Sequence, residues 1–153
     1  MLIFATKWKF FTSFFGVVLL CLGAAQAQIL DLVIIPQKNE EAVSKLPVSM
    51  GTKDGNPTLQ RLDFLLSSLA LQRVDGSWME SADWYAFFSL ERNRLKAQVE
   101  SVPKGKFKGI RFVVGVPAKE DLGDPNLWPA DHPLNPTVCG LHWGWQGGYV
   151  YMA

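Results

Sequence analysis

Several things are scarce in this sequence, and each shortage narrows what the chain can be. It has two cysteines in 153 residues, and one of them, Cys21, lies inside an N-terminal apolar run. Cys139 is then alone in the rest of the chain, so no internal disulfide can form. In an oxidising compartment a lone thiol must be buried, metal-bound or paired with another molecule. Net charge is equally scarce: 15 Lys and Arg against 14 Asp and Glu leave +1. A chain so close to neutral offers no electrostatic footprint for nucleic acid or an anionic membrane surface. H-x-x-x-H, C-x-x-C and H-E-x-x-H are absent, which leaves no recognised zinc spacing. Ser67, Ser68 and Ser77 stand in no nucleophile elbow, and Gly147-Gly148 lacks the lysine and hydroxyl of a phosphate loop. No catalytic residue is assigned.

Acidic residues are missing from the first thirty positions, and what is there has a recognisable order. Lys7 and Lys9 precede the apolar run Phe10 to Leu22, and Ala25-Gln26-Ala27 follows. A basic start, a short apolar run and an A-x-A site make a secretory signal peptide over residues 1–27. Leu20 before Cys21 is too large for a lipoprotein site. Cleavage leaves one domain, residues 28–153, removes two lysines and takes the charge from +1 to −1. A periplasmic or secreted protein with no stable membrane anchor is expected.

The mature chain reads as short strands and turns. Ile29 to Ile35 is β-branched and apolar, and Pro36 ends it. Residues 37–57 read as a loop. Leu59 to Val74 suits both a helical stripe and a period-two strand. Asp75-Gly76 decides for two strands joined by a hairpin turn, with Trp78 opening the return. Trp84 to Leu90 is a further aromatic, strand-like run; Glu91 to Lys96 reads as a charged connection. Phe107 to Val114 follows the turn at Pro103-Lys104-Gly105. Residues 116–135 are a proline-punctuated loop, and loops of that length are often functional. Leu141 to Tyr151 returns to strand chemistry, with Leu141, Trp143 and Trp145 on one face. The fold class is all-β, an antiparallel β-sandwich or Greek-key-like barrel.

The stretch "HPLNPTVCGLHWGWQGGYVY", His132 to Tyr151, gathers both histidines, Cys139, Trp143 and Trp145. A turn through Asn135-Pro136 could fold His132 back onto His142. Imidazole suits copper, zinc and nickel, and thiolate favours copper(I) and zinc. Four-coordinate zinc would need Cys139 and a carboxylate such as Asp131 as well, whereas copper(I) tolerates fewer ligands. The plainer reading stands beside this one: tryptophans fill a core, Cys139 is an inert buried thiol, and the histidines are hydrogen-bonded structural residues.

Three segments, "RLDFLLSSLALQRVDGSW", "SVPKGKFKGIRFVVGVP" and above all "HPLNPTVCGLHWGWQGGYVYMA", resemble the MbnP-like family, periplasmic copper-binding proteins first linked to methanobactin operons. The resemblance runs roughly from Leu59 to Ala153. It implies a β-sandwich-type domain that binds copper through His132 and His142, with Cys139 as a possible additional ligand. It also implies a partner, a di-haem peroxidase of the MauG-like class, that oxidises a tryptophan to kynurenine. Trp128, Trp143 and Trp145 are the candidates for that residue, and Trp128 is slightly favoured because a loop indole is easier to oxidise. Family members continue past this motif with further strands, so the domain is expected to be incomplete after Ala153, and some carry four cysteines that this chain lacks. Two other readings compete: a carbohydrate- or ligand-binding β-sandwich with Trp143, Trp145, Tyr149 and Tyr151 as a stacking platform, and a non-functional fragment.

Overall fold

The computed structural model describes residues 27–51 and 55–153, with the side chains of residues 145 and 146 outside that description. The expected leader lies outside the described residues apart from Ala27. Nine strands occur among the described residues: β1 (Ala27–Val33), β2 (Gln37–Lys38), β3 (Glu41–Ala42), β4 (Val48–Ser49), β5 (Thr58–Leu59), β6 (Asp63–Arg73), β7 (Trp78–Ser89), β8 (Lys96–Pro103) and β9 (Phe107–Val114). Short helical turns come after them, α1 (Ala118–Asp121), a 3-10 turn (Pro125–Leu127), α2 (Pro136–Cys139) and α3 (Gly144–Gly147). The expected all-β sandwich is what forms.

Its centre is an antiparallel sheet ordered β7-β6-β9. The hairpin between β6 and β7 turns at Asp75-Gly76 as expected: Gly76 sits at φ 94°, and the Asp75 carboxylate accepts from the Ser77 N–H at 2.9 Å. The aromatic run Trp84 to Leu90 is not a separate strand, because Trp84–Ser89 continues the one begun at Trp78. A bulge explains why the β6 residues suit two periods at once. Register shifts between Ser67 and Leu69, with Ser68 at φ 52°, and the inserted residue reverses the parity of the strand beyond it. Phe64 and Leu66 before the bulge, and Leu69 and Leu71 after it, therefore all face the antiparallel pair β1-β8. β8 takes the place of part of the charged connection and of the stretch before Pro103; its Val99 and Val102 are buried against β6.

Among the described residues, no second sheet covers the opposite face of the central sheet. Leu65 and Phe87 point there and are covered by Val116, Leu134, Cys139, Leu141 and Tyr149, with Tyr85, Trp128, Val138 and Val150 at the margin. The irregular segment 116–150 is thus a layer of the core, and that layer carries the chemistry-bearing residues.

Two loop expectations need correction. Residues 37–59 hold two short antiparallel pairs, β2-β3 and β4-β5, the last strand lying just past the expected loop. Leu141 to Tyr151 is not a strand. It turns at its tip through α3, with Gly144 at φ 58° and Gly148 at φ 65°, and closes as Trp143 N–H donates to Gly148 C=O at 2.9 Å. Glycines at left-handed φ let the chain reverse where an alternating strand would have run straight. Leu141 is consequently buried while Trp143 is 74% exposed, so the two do not share a face and Trp143 does not fill the core.

Candidate functional site

The H-P-L-N stretch is a pair of successive turns: His132 N–H donates to Pro129 C=O at 3.0 Å, and Asn135 N–H donates to His132 C=O at 2.9 Å. Between them His132 Nδ1 accepts from the Leu134 N–H at 3.1 Å. That bond orients the imidazole, which lies flat on Trp128 with ring centroids 4.2 Å apart and planes 9° apart. Tyr85 on β7 meets both rings, edge-on to His132 at 5.5 Å and tilted to Trp128 at 5.7 Å. Asn135 works in two directions. Its Oδ1 caps α2 by accepting from Thr137 N–H at 2.9 Å, with Pro136 at the first helical position, where a missing N–H costs nothing. Its Nδ2 donates to the Trp128 C=O at 2.9 Å. The main chain at Trp128 is therefore fixed independently of its indole.

A second set of contacts closes the layer. Tyr149 is buried, and its hydroxyl donates to Leu134 C=O at 2.6 Å. Burial pushes its phenol up to about 12; the nearby Cys139 adds to this, and a hydrogen bond with the Trp128 side chain offsets part of it. Asp121, the last residue of α1, accepts from Tyr149 N–H at 2.7 Å and from the Tyr151 hydroxyl at 3.2 Å. Gly148 leaves the space Asp121 needs: a Cβ there would stand 2.7 Å from its Oδ1.

The structure sorts the residues expected to act together into different places. His132 lines an open cleft of about 650 Å³ with Trp84, Tyr85 and Gln98. His142 lines another, of about 760 Å³, with Asp124, Pro136 and Gly144. The turn through Asn135-Pro136 does not fold the two into one cleft. His142 rests edge-on against the Tyr149 ring at 4.7 Å, and its ring nitrogens have no hydrogen-bond partner among the described residues. Burial holds the His132 imidazole below its ordinary pKa, with Asp131 acting weakly the other way. A neutral ring whose Nδ1 accepts a bond carries its proton on Nε2. As folded, its lone pair faces a backbone N–H and would have to be freed for a metal.

Cys139 is fully buried between these regions, and burial raises its thiol pKa despite Arg92 and Arg61 nearby. A protonated, enclosed thiol is a poor ligand and a poor nucleophile. Among the described residues, no three of His, Cys, Asp or Glu group as a metal cage would, so the unaltered residues do not fit a ready-made copper site. A sugar-stacking platform fares no better, because Tyr149 is buried and its hydroxyl is engaged inside. Trp143 is exposed, Trp128 is half-buried in the core layer, and the Trp145 side chain lies outside the described residues.

Tyr85 and Asp121 emerge as site residues that no sequence motif singles out, while Asn135 and Tyr149, inside the distinctive stretch, take roles other than those expected of them. Asn135-Pro136-Thr137 does have the composition of a helix start, an Asn cap followed by Pro, and that signal could have found Asn135. Nothing local marks Tyr85, whose role depends on which strand passes beneath the loop.

A family model described as MbnP matches residues 35–153. Among solved structures, MbnP from Methylosinus trichosporium shares the fold with a TM-score of 0.60 at 16% identity. The match covers 83% of this chain and 54% of that one, so the chain spans about half the length of that protein. A search of curated proteins gives no match.

Proposed function

The chain belongs to the MbnP family, the methanobactin-associated proteins, and from that premise we propose that it is a periplasmic or secreted copper-binding protein rather than an enzyme, matured when a di-haem peroxidase of the MauG-like class oxidises Trp128 to kynurenine. The observation that carries the choice of Trp128 is its stack on His132, 4.2 Å between centroids. Among the described residues Trp143 has no comparable ring neighbour, and it is largely exposed.

The chemistry gives the stack a purpose. Indole nitrogen is a poor ligand because its lone pair belongs to the ring. Two equivalents of hydrogen peroxide, reduced to water at the partner's haems, take four electrons from the indole. The C2–C3 bond opens with an oxygen on each carbon, giving N-formylkynurenine. Hydrolysis then releases formate and leaves an aryl amine and a ketone beside the imidazole. These are donors that the unaltered residues lack, and they would stand next to His132 without moving the backbone that Asn135 holds. Copper would be held by these groups with His132; His142 lines a different cleft and would join them only if the 141–150 turn moved, and Cys139 stays a buried thiol.

Mass spectrometry after reaction with the peroxidase tests the maturation. Conversion adds about 4 Da to the chain. No Lys or Arg comes after Lys119, so trypsin leaves Trp128, Trp143 and Trp145 in one peptide and fragment ions must locate the change. Fragments placing it on Trp143 or Trp145 would overturn the assignment, and an unchanged mass would overturn the maturation itself. Copper titration then separates the ligands: His132→Ala and His142→Ala together should abolish high-affinity binding in the converted chain. Unchanged affinity in that double variant rules out the histidine pair.

A further inference from the structure

The edge of the central sheet along β9 is open, and a row of apolar side chains lies on it. Ile110 and Val114 stand opposite Leu71 and Leu66 of β6. They therefore share the face that the β1-β8 pair covers, and Phe112 between them points the same way. Met152 extends the row by bridging to Phe64, which faces that side as well. The covering layer is two strands wide over a sheet of three, and it stops short of this row. Ile110, Phe112, Val114 and Met152 are 44%, 37%, 47% and 56% exposed. The backbone is open at the same place. Gly115 N–H donates to Leu65 C=O at 2.9 Å, so by alternation the polar groups of Val113 turn towards β6 and those of Phe112 and Val114 turn outwards.

An open edge is a template for another strand, and charges, prolines or bulges commonly blunt it. The outer edge of β7 has both a register shift, opposite Ser67 and Leu69, and the acids Glu80 and Asp83. β1 has a register shift between Gln28 and Leu30, and its Asp31 pairs with Lys96. β9 runs without an inserted residue from Gly109 to Val114. Its one charge there, Arg111, lies on the other face and is already engaged by Glu80 at 2.7 Å. Exposed apolar side chains scattered singly need no explanation; four in one row along an unblunted edge do. Among the described residues every strand already has a partner, so none is left to cover the row from within the chain.

We propose that β9 is a self-association edge, and that a second copy of this chain pairs its own β9 antiparallel to it about a two-fold axis at Phe112. Two three-stranded sheets then become one of six. In this register Phe112 meets its own counterpart, Ile110 meets Val114 of the second copy, and Arg111 meets Val113. Aromatic and β-branched pairs of this kind stabilise antiparallel strands. Charge selects the occupant and the register together. Ile110-Arg111-Phe112-Val113-Val114 read against itself sets no charge against a charge, whereas an axis at Arg111 would oppose two guanidiniums. A net charge of +1 over the whole chain does not resist such pairing, and a closed two-fold contact is the commonest form of oligomer. One strand pair falls at the low end of interface sizes, so the dissociation constant is expected to be on the order of micromolar or weaker. The edge lies across the sheet from β7, so the cleft of Tyr85 and His132 stays open in both copies. Copper and the maturation play no part in it.

Sedimentation of the purified full chain over a concentration series tests this. The mass should rise from one chain to two and go no further. Phe112→Lys should weaken association at least about tenfold, because two ammonium groups would face each other across the axis. Mixing Phe112→Lys chains with Phe112→Glu chains should restore it, which only an axis at that residue explains. Val33→Lys, on the exposed side of β1, should leave association as it was. Thermal unfolding of the variants at concentrations where the unaltered chain is monomeric should match that chain; if a charged variant fails to fold, Phe112→Thr keeps strand propensity and should weaken association by a smaller factor. A chain that stays monomeric, assembles beyond two copies, or associates undiminished in the Phe112→Lys form overturns the dimer, and so does an equal loss in Val33→Lys. Association lost in Phe112→Lys and not restored in the mixture overturns the axis at Phe112.

Discussion

The central sheet has two faces, and they are covered by opposite means. Over one lies the pair β1-β8, joined to it by alternating aliphatic side chains such as Leu69, Leu71, Val99 and Val102. Over the other lies segment 116–150, which has only short helical turns and is held by single contacts between side chain and backbone: Asn135 on Trp128, Asp121 on Tyr149, Tyr149 on Leu134. Both faces bury leucine and phenylalanine, so hydrophobic area does not distinguish them. What differs is redundancy. Between the sheets a changed residue loses packing area while its neighbours keep the strands in place, whereas each contact in the loop layer has no substitute in placing its residue. Apolar packing supplies the bulk of the stability on both sides, and the polar contacts decide the position of Trp128 and His132 on one.

Three experiments would break or sharpen this contrast. Leu69→Ala should have the largest effect, about 3 kcal/mol of global stability, because Leu69 is fully buried between sheets. Denaturant unfolding should show it, with the loop layer and the strands losing hydrogen-exchange protection together. Gly148→Ala should cost less, about 1–2 kcal/mol, from its φ of 65° and the crowding against Asp121. Exchange should rise in residues 141–150 while β6 and β7 keep their protection; equal loss in both would show that the layers are not separable.

The smallest effect is expected from pH. Burial depresses the His132 pKa below 6.5 in the folded chain, so between that lower value and 6.5 the unfolded chain binds more protons. Stability is therefore fully present above pH 6.5 and declines as the pH falls through the folded value. The thermal midpoint should drop on going from about pH 7.5 to about pH 5, and His132→Gln should flatten that dependence. A chain whose melting followed the same pH curve with and without His132 would contradict the half-buried, neutral imidazole.

What could be read from the sequence divides along the same line. β9 was legible residue for residue because Phe107 to Val114 alternates after the turn at Pro103-Lys104-Gly105, and Asp75-Gly76 announced its hairpin by turn chemistry. The bulge at Ser68 was hidden, since either parity of β6 looks half right until the inserted residue is known. β8 was missed where lysine, glutamine and glutamate mask the buried Val99 and Val102. At the site, the concentration of ligand-bearing residues between His132 and Tyr151 was plain. Their separation was not, because whether His132 meets His142 or Trp128 depends on the path of the chain through Pro129, Pro133 and Pro136. The alternation that put Leu141 and Trp143 on one face failed at Gly144, where a left-handed φ breaks the period that the pattern assumes.

The hydrogen bond from Asn135 to the Trp128 carbonyl grips the residue by the part that every amino acid shares, separately from the bond between its indole and Tyr149. A reaction that cuts the ring open would then change what the residue offers to its surroundings while the hinge on which it is mounted stays closed. The loop can thus be built once, before the chemistry, and need not be built again after it.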